Sequence, residues 1–173
     1  MATNAVKLGP GYATGMFYKA AAGTALPTAL TGVSAWGTEV GYVSQDGITL
    51  HLAQNHETLK DWSNSIRRVL PSTDSGTVQV PVISTDADSL SAVFGSTNVA
   101  STTASSTVTI KPDNIQAAAA WLLVMKDGDD VILLGTTNGY ITDIADVAFQ
   151  PGAAITWAAT ISADEWSMQV IYG

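Results

Sequence analysis

The stretch Glu39-Val40-Gly41-Tyr42-Val43-Ser44-Gln45-Asp46-Gly47-Ile48-Thr49-Leu50-His51-Leu52 carries the reading of the fold. Its second half alternates apolar and polar residues, the period of a strand with one buried side. Ile48, Leu50 and Leu52 share one face, Thr49 and His51 the other. Gln45-Asp46-Gly47 supplies a turn between this run and 39–44, so a β-hairpin is predicted.

The same punctuation continues in both directions. The runs 67–70 and 77–83 form a second predicted pair across Pro71–Gly76, with Pro81 marking the latter as an edge or a bulge. Thr85 or Asp86 is placed to cap a helix whose Leu90, Val93 and Phe94 fall on one face and which Gly95 stops. Residues 96–106 read as a Ser/Thr/Ala linker, after which 107–111 resumes the strand pattern. Two further hairpins follow, 118–126 with 129–134 around Asp127-Gly128, and 140–149 with 153–162 around Pro151-Gly152. Residues 168–172 make a last strand. Residues 1–30, rich in Gly, Ala, Thr and Pro and without period, read as an arm or loop that packs on something else. The expected fold is mainly β: one domain over 1–173, a β-sandwich or barrel of nine or ten short strands with one short flanking α-helix.

Composition narrows the function. A chain of 173 residues buries a proper core without staples, and with no cysteine it has neither disulfides nor thiolate metal sites. Residues 1–15 lack a signal-peptide apolar core, and the longest apolar run, 117–125, is short for a membrane helix of about 20 residues. The expectation is a protein made and kept inside a cell, with no membrane partner. A net charge of -8, with only Arg67 and Arg68 as adjacent cations, argues against tight nucleic-acid binding. Most of the excess lies late in the chain: Asp113, Asp127, Asp129, Asp130, Asp143, Asp146, Asp164 and Glu165 stand against Lys126 alone. Only 13% of residues are charged, against about 25% in a typical soluble domain, so the surface expects neighbours or is finished in Thr and Ser.

No chemistry converges. His51, His56 and Glu57 lie within seven residues, but the order and spacing do not put two imidazoles on one helical face as a zinc protease motif requires. The glycines at 9, 11 and 15 have the wrong spacing for a phosphate loop. Asp127-Gly128-Asp129-Asp130 lacks the later ligands of a calcium loop. There is no Gly-x-Ser-x-Gly elbow, and Asp129-Asp130 and Asp164-Glu165 read as solvated acids. No catalytic residue, metal or cofactor is expected. Of five tryptophans, Trp121 and Trp157 fall inside apolar strands and read as core, while Trp36, Trp62 and Trp166 lie near loops, suited to local packing or subunit contact.

Several motifs in order carry a resemblance. Ala22-Gly23-Thr24-Ala25-Leu26-Pro27-Thr28, Trp36 and 40–49 are followed by Glu57-Thr58-Leu59-Lys60-Asp61-Trp62, then Arg67-Arg68-Val69, then 88–99 with its Phe94-Gly95 pair. Together they resemble the major tail tube proteins of long, non-contractile-tailed bacteriophages, particularly phages of actinobacteria. The resemblance covers 22–99 and fades to general β character beyond. It implies a virion structural protein and not an enzyme. Its partner would be itself, as hexameric rings stacked into a tube that passes DNA without gripping it, with tail-tip, tape-measure and terminator proteins as neighbours. A head-tail joining or capsid-decorating phage protein is the nearest alternative, and a carbohydrate-binding β-sandwich module a more distant one. Within 57–68, the mixed charge and the tryptophan suit contact with a neighbouring ring, so Glu57, Lys60, Asp61, Trp62, Arg67 and Arg68 are the candidate subunit-interface residues; an ordinary exposed hairpin is the alternative.

Overall fold

The computed structural model describes residues 17–53, 56–71, 75–111, 115–127 and 129–172. Among these residues twelve strands run in chain order: β1 Phe17–Ala21, β2 Thr38–Gly41, β3 Thr49–Ala53, β4 His56–Lys60, β5 Ile66–Pro71, β6 Ser75–Val82, β7 Val99–Ser101, β8 Ser106–Val108, β9 Ala119–Asp127, β10 Asp130–Ile144, β11 Trp157–Ala163 and β12 Ser167–Ile171. One α-helix, α1, spans Ala87–Phe94, and a 3-10 helix spans Leu30–Ala35. The protein is mainly β with one short helix, as the sequence predicts.

Eight strands form an antiparallel sheet in the order β2-β1-β9-β10-β11-β6-β3, with β12 also paired to β10. The 15-residue β10 organises it. Its first half pairs with β9 on one side and β12 on the other, and its second half with β11. Gly135 lies opposite Ser167 and Tyr140 opposite Ser162, so β11 and β12 continue one another along β10 across the bend at 164–166. The sequence divides β10 into two strands; its continuity emerges only from this shared ladder.

The core explains the apolar run at 117–125. Trp121 and Leu123 join Phe17, Val40, Val78, Val80, Val82, Ile161 and the buried face of α1 in one cluster. Leu122 and Val124 point the other way, into a second cluster with Tyr18, Val33, Val131 and Leu133. A strand buried on both faces reads as continuous apolar sequence. Leu26, Leu30 and Trp36 cover the second face, and Trp36 Nε1 donates to the Ala25 carbonyl at 2.7 Å.

The arm reading of 1–30 is thereby corrected within the described residues. Phe17–Ala21 is an internal strand between β2 and β9, and the stretch beyond it packs on the chain's own sheet. Residues 1–16 lie outside the described residues.

The helix forms as its sequence dictates. The Asp86 carboxylate accepts from the Ser89 amide at 2.8 Å, Leu90, Val93 and Phe94 are buried, and Gly95 ends the helix at φ 86°. Asp86 satisfies one of the amides that a helix N-terminus leaves without a partner.

Both early hairpins are corrected. The turn at 44–47 exists, with the Gly47 amide bonding to the Ser44 carbonyl at 3.0 Å, but β2 pairs with β1 while β3 pairs with β6. The chain instead runs along β6 twice: Val43 bridges Val82, the turn bulges outward, and Thr49 rejoins opposite Gln79. Likewise β5 pairs with β4, leaving β6 between β11 and β3 as an internal strand. Pro81 is accommodated there because its carbonyl accepts from Ser44 at 2.7 Å, so its missing N–H faces the point where the bulge leaves the ladder.

The linker reading of 96–106 is also corrected. A short 3-10 turn leads into β7, which pairs with β8 to make a small hairpin beside α1. The strand there ends at Val108 rather than continuing to 111, and β10 ends at Ile144 rather than 149.

Candidate assembly surfaces

Ala53 and Ser75 are register partners at one end of the β3–β6 ladder, and between them the chain makes a separate two-stranded hairpin, β4–β5. Five of the six candidate interface residues have described side chains on it: Lys60, Asp61, Trp62, Arg67 and Arg68. Glu57 lies on β4, with its side chain outside the described set.

The tip is built by local chemistry. The Asp61 amide bonds to the Ser65 carbonyl and the Asn64 amide to the Asp61 carbonyl, both at 3.0 Å, with Asn64 at φ 63°. Asn tolerates this left-handed conformation better than most residues, and the arrangement is a three-residue hairpin turn. Asp61 anchors it: its Oδ1 accepts from the Ser63 amide at 2.9 Å, the Ser63 hydroxyl at 2.6 Å and the Ser65 amide at 3.0 Å, while Oδ2 faces the Arg67 guanidinium.

These donors, the Ser63 hydroxyl foremost, hold the Asp61 carboxyl below its ordinary value of 3.8. A depressed carboxyl favours the ordered tip above its unfolded-state value and withdraws that support as pH falls through the lower, folded value. In an NMR titration the Ser65 amide and Arg67 Nε resonances are therefore expected to move together with a midpoint below 3.8. Asp61→Asn should abolish that step; a midpoint above the ordinary value would refute the assignment.

The hairpin is uncovered. Trp62 is fully exposed, Leu59 and Ile66 are more than half exposed, and among the described residues β4–β5 makes no extended contact with any other element. An isolated two-stranded hairpin is marginal in water, and apolar groups displayed on one suit a surface that another molecule covers. The main sheet has exposed apolar groups too. Leu50 and Leu52 do not share the buried face with Ile48: they are 41% and 59% exposed on the edge strand β3, because the core beneath reaches only Ile48. On β12, Met168 is exposed as well.

At the other end of β6 lies a groove of about 450 Å³, walled by Phe94, Ile110, Ile141, Phe149 and Trp157. Trp157 meets Phe94 edge-on at 5.3 Å and Phe149 at 6.1 Å. Its Nε1 is buried and has no acceptor among the described residues. Asp143, Asp146 and Lys111 also line the groove. This site combines residues from α1, from the segment after β8 and from both sides of the β10–β11 connection, so no local motif announces it.

Among the described residues no group of three or more His, Cys, Asp or Glu side chains is placed to hold a metal. His51 lies exposed on β3, and the His56 side chain falls outside the described set. Asp129, Asp164 and Glu165 are exposed. No described helix is long and apolar enough to cross a membrane. Trp121 and Trp157 are core, as read from sequence; Trp166 donates to the Gly76 carbonyl at 3.0 Å.

Comparison with protein families agrees with a structural role. The profile of the phage tail tube protein family matches residues 1–164. No curated protein sequence matches the chain. Among solved structures, the electron cryomicroscopy structure of the anti-feeding prophage cap, a tube terminating cap, is similar at 12% identity and TM-score 0.46, over 99% of this chain and 100% of that one.

Proposed function

The chain belongs to the phage tail tube protein family, a structural component of the phage tail, and on that premise we propose that it self-assembles into stacked hexameric rings forming the conduit for DNA ejection. The observation that carries this reading is the β4–β5 hairpin, rooted at one end of the sheet and displaying Leu59, Trp62 and Ile66 to solvent. A contact patch at one end that meets a different surface on the next copy is heterologous, and such contacts propagate into filaments. Open strand edges favour lateral joining, since pairing removes unsatisfied N–H and C=O groups. A net charge of -8 suits a conduit through which phosphates slide without sticking. In this reading Glu57, Lys60, Asp61, Trp62, Arg67 and Arg68 contact a neighbouring ring. The rings form in the host cytoplasm and meet tail-tip, tape-measure and terminator proteins.

Negative-stain electron microscopy over a concentration series, with mass by light scattering, tests the assembly. Hollow tubes or stacked hexamers are expected; closed oligomers of another symmetry that never stack would refute it. Charge reversal at the exposed pair, Arg67→Glu with Arg68→Glu, is expected to abolish tubes. Because Arg67 pairs with Asp61 at the exposed tip, it should lower the unfolding free energy by no more than about 1 kcal/mol, the scale of an exposed ion pair. Unaltered tubes would remove these residues from the interface.

A further inference from the structure

We propose that the Phe94–Phe149–Trp157 groove receives the Trp62 hairpin tip of a second copy of this chain. The inference rests on the assembly reading above and names the surface that the hairpin meets.

Three observations carry it. The first is position. The hairpin leaves the sheet where Ala53 lies opposite Ser75, and the groove sits where Val82 lies opposite Trp157. These are the two ends of β6, whose eight residues at about 3.3 Å each separate them by roughly 23 Å. A plug at one end that enters the socket at the opposite end of the next copy makes a heterologous contact. Repeated copy upon copy, it stacks the subunits head to tail.

The second is charge. Lys60, Arg67 and Arg68 put three of the chain's seven Lys and Arg residues on the Trp62 hairpin, and with Asp61 paired to Arg67 it is Lys60 and Arg68 that give the hairpin its free positive charge. The groove carries Asp143 and Asp146 against Lys111, so its acidic side meets the basic flank of the tip. Complementary charge of this kind fixes register and suppresses wrong pairings.

The third is the chemistry of the walls. Ile110 and Phe149 are 68% and 70% exposed, an apolar lining with nothing from its own chain to cover it among the described residues. An aromatic anchor entering such a pocket is the usual centre of a protein contact.

The test uses tube formation by the full chain. Lys60→Glu with Arg68→Glu, and separately Asp143→Lys with Asp146→Lys, should each raise the concentration needed for tubes at least tenfold. The chain carrying all four changes should return to within about threefold of wild type, because tip and groove are again complementary. Wild-type tubes without restoration by the fourfold variant, or with Asp143→Lys/Asp146→Lys assembling normally, would overturn the groove while leaving the tube reading intact. Absence of wild-type tubes in favour of non-stacking closed oligomers would overturn both.

Discussion

Trp121→Ala is expected to lower the unfolding free energy by about 3–5 kcal/mol, the range for removing a large aromatic from a packed core. For a domain of this size that corresponds to a melting midpoint lower by roughly 6–20 °C. Trp121 is 1% exposed and stacks on Phe17 at 5.3 Å. Its Nε1 donates to the Gly139 carbonyl at 3.1 Å, and the Lys19 ammonium lies 5.0 Å from the ring centre. It therefore ties β1 to β9 and β9 to the middle of β10, where the pairing shifts register between Thr136 and Gly139. Trp121→Phe separates the contributions: it keeps most of the volume but leaves the Gly139 carbonyl without its donor, a cost of about 1–3 kcal/mol. Thermal or denaturant unfolding checks both variants. Equal losses would show that the hydrogen bond, not the volume, is the dominant contribution.

Gly41→Ala is the second substitution expected to have a large effect, for backbone and packing reasons together. Gly41 adopts φ 126°, which L-residues rarely occupy, and a Cβ there would lie 2.6 Å from Ser84 Cβ and 2.8 Å from Ser89 Oγ. Both serines are engaged: Ser89 Oγ donates to the Val40 carbonyl, and Ser84 Oγ accepts from the Tyr42 amide at 2.9 Å. The added methyl would push apart the joint that docks α1 on β2. About 1–3 kcal/mol is expected from the strained backbone and a similar amount from the clash. Loss of soluble folded protein, or a midpoint lowered at least as far as in Trp121→Phe, is the predicted result; wild-type stability would show that the joint relaxes freely. Neither substitution touches the hairpin, so any residual folded protein should still present Trp62.

The hairpin itself was half legible. Its charges and Trp62 mark 57–68 as unusual in a chain with so few ionic groups, and the mixed pattern suggests contact with another subunit. Its turn carries no glycine signal, because in Asp61-Trp62-Ser63-Asn64-Ser65 it is Asn64 that takes the left-handed position. The groove was not legible at all, since Phe94, Ile110, Ile141, Phe149 and Trp157 are joined by packing alone.

Features held by local interactions can be read directly from the residues. α1 was set by Asp86, Gly95 and one apolar face, the β9–β10 hairpin by the turn beginning at Asp127, and the core tryptophans by the apolar strands around them. Strand partnership, by contrast, depends on how the layers pack. The turn at 44–47 is where the sequence predicts it, but a strand edge pairs with whichever ladder burial makes available, so β2 pairs with β1 and β3 with β6. Leu50 and Leu52 show the same limit: alternation says which residues share a face, but only the packing of the layers says whether anything in the same chain covers it.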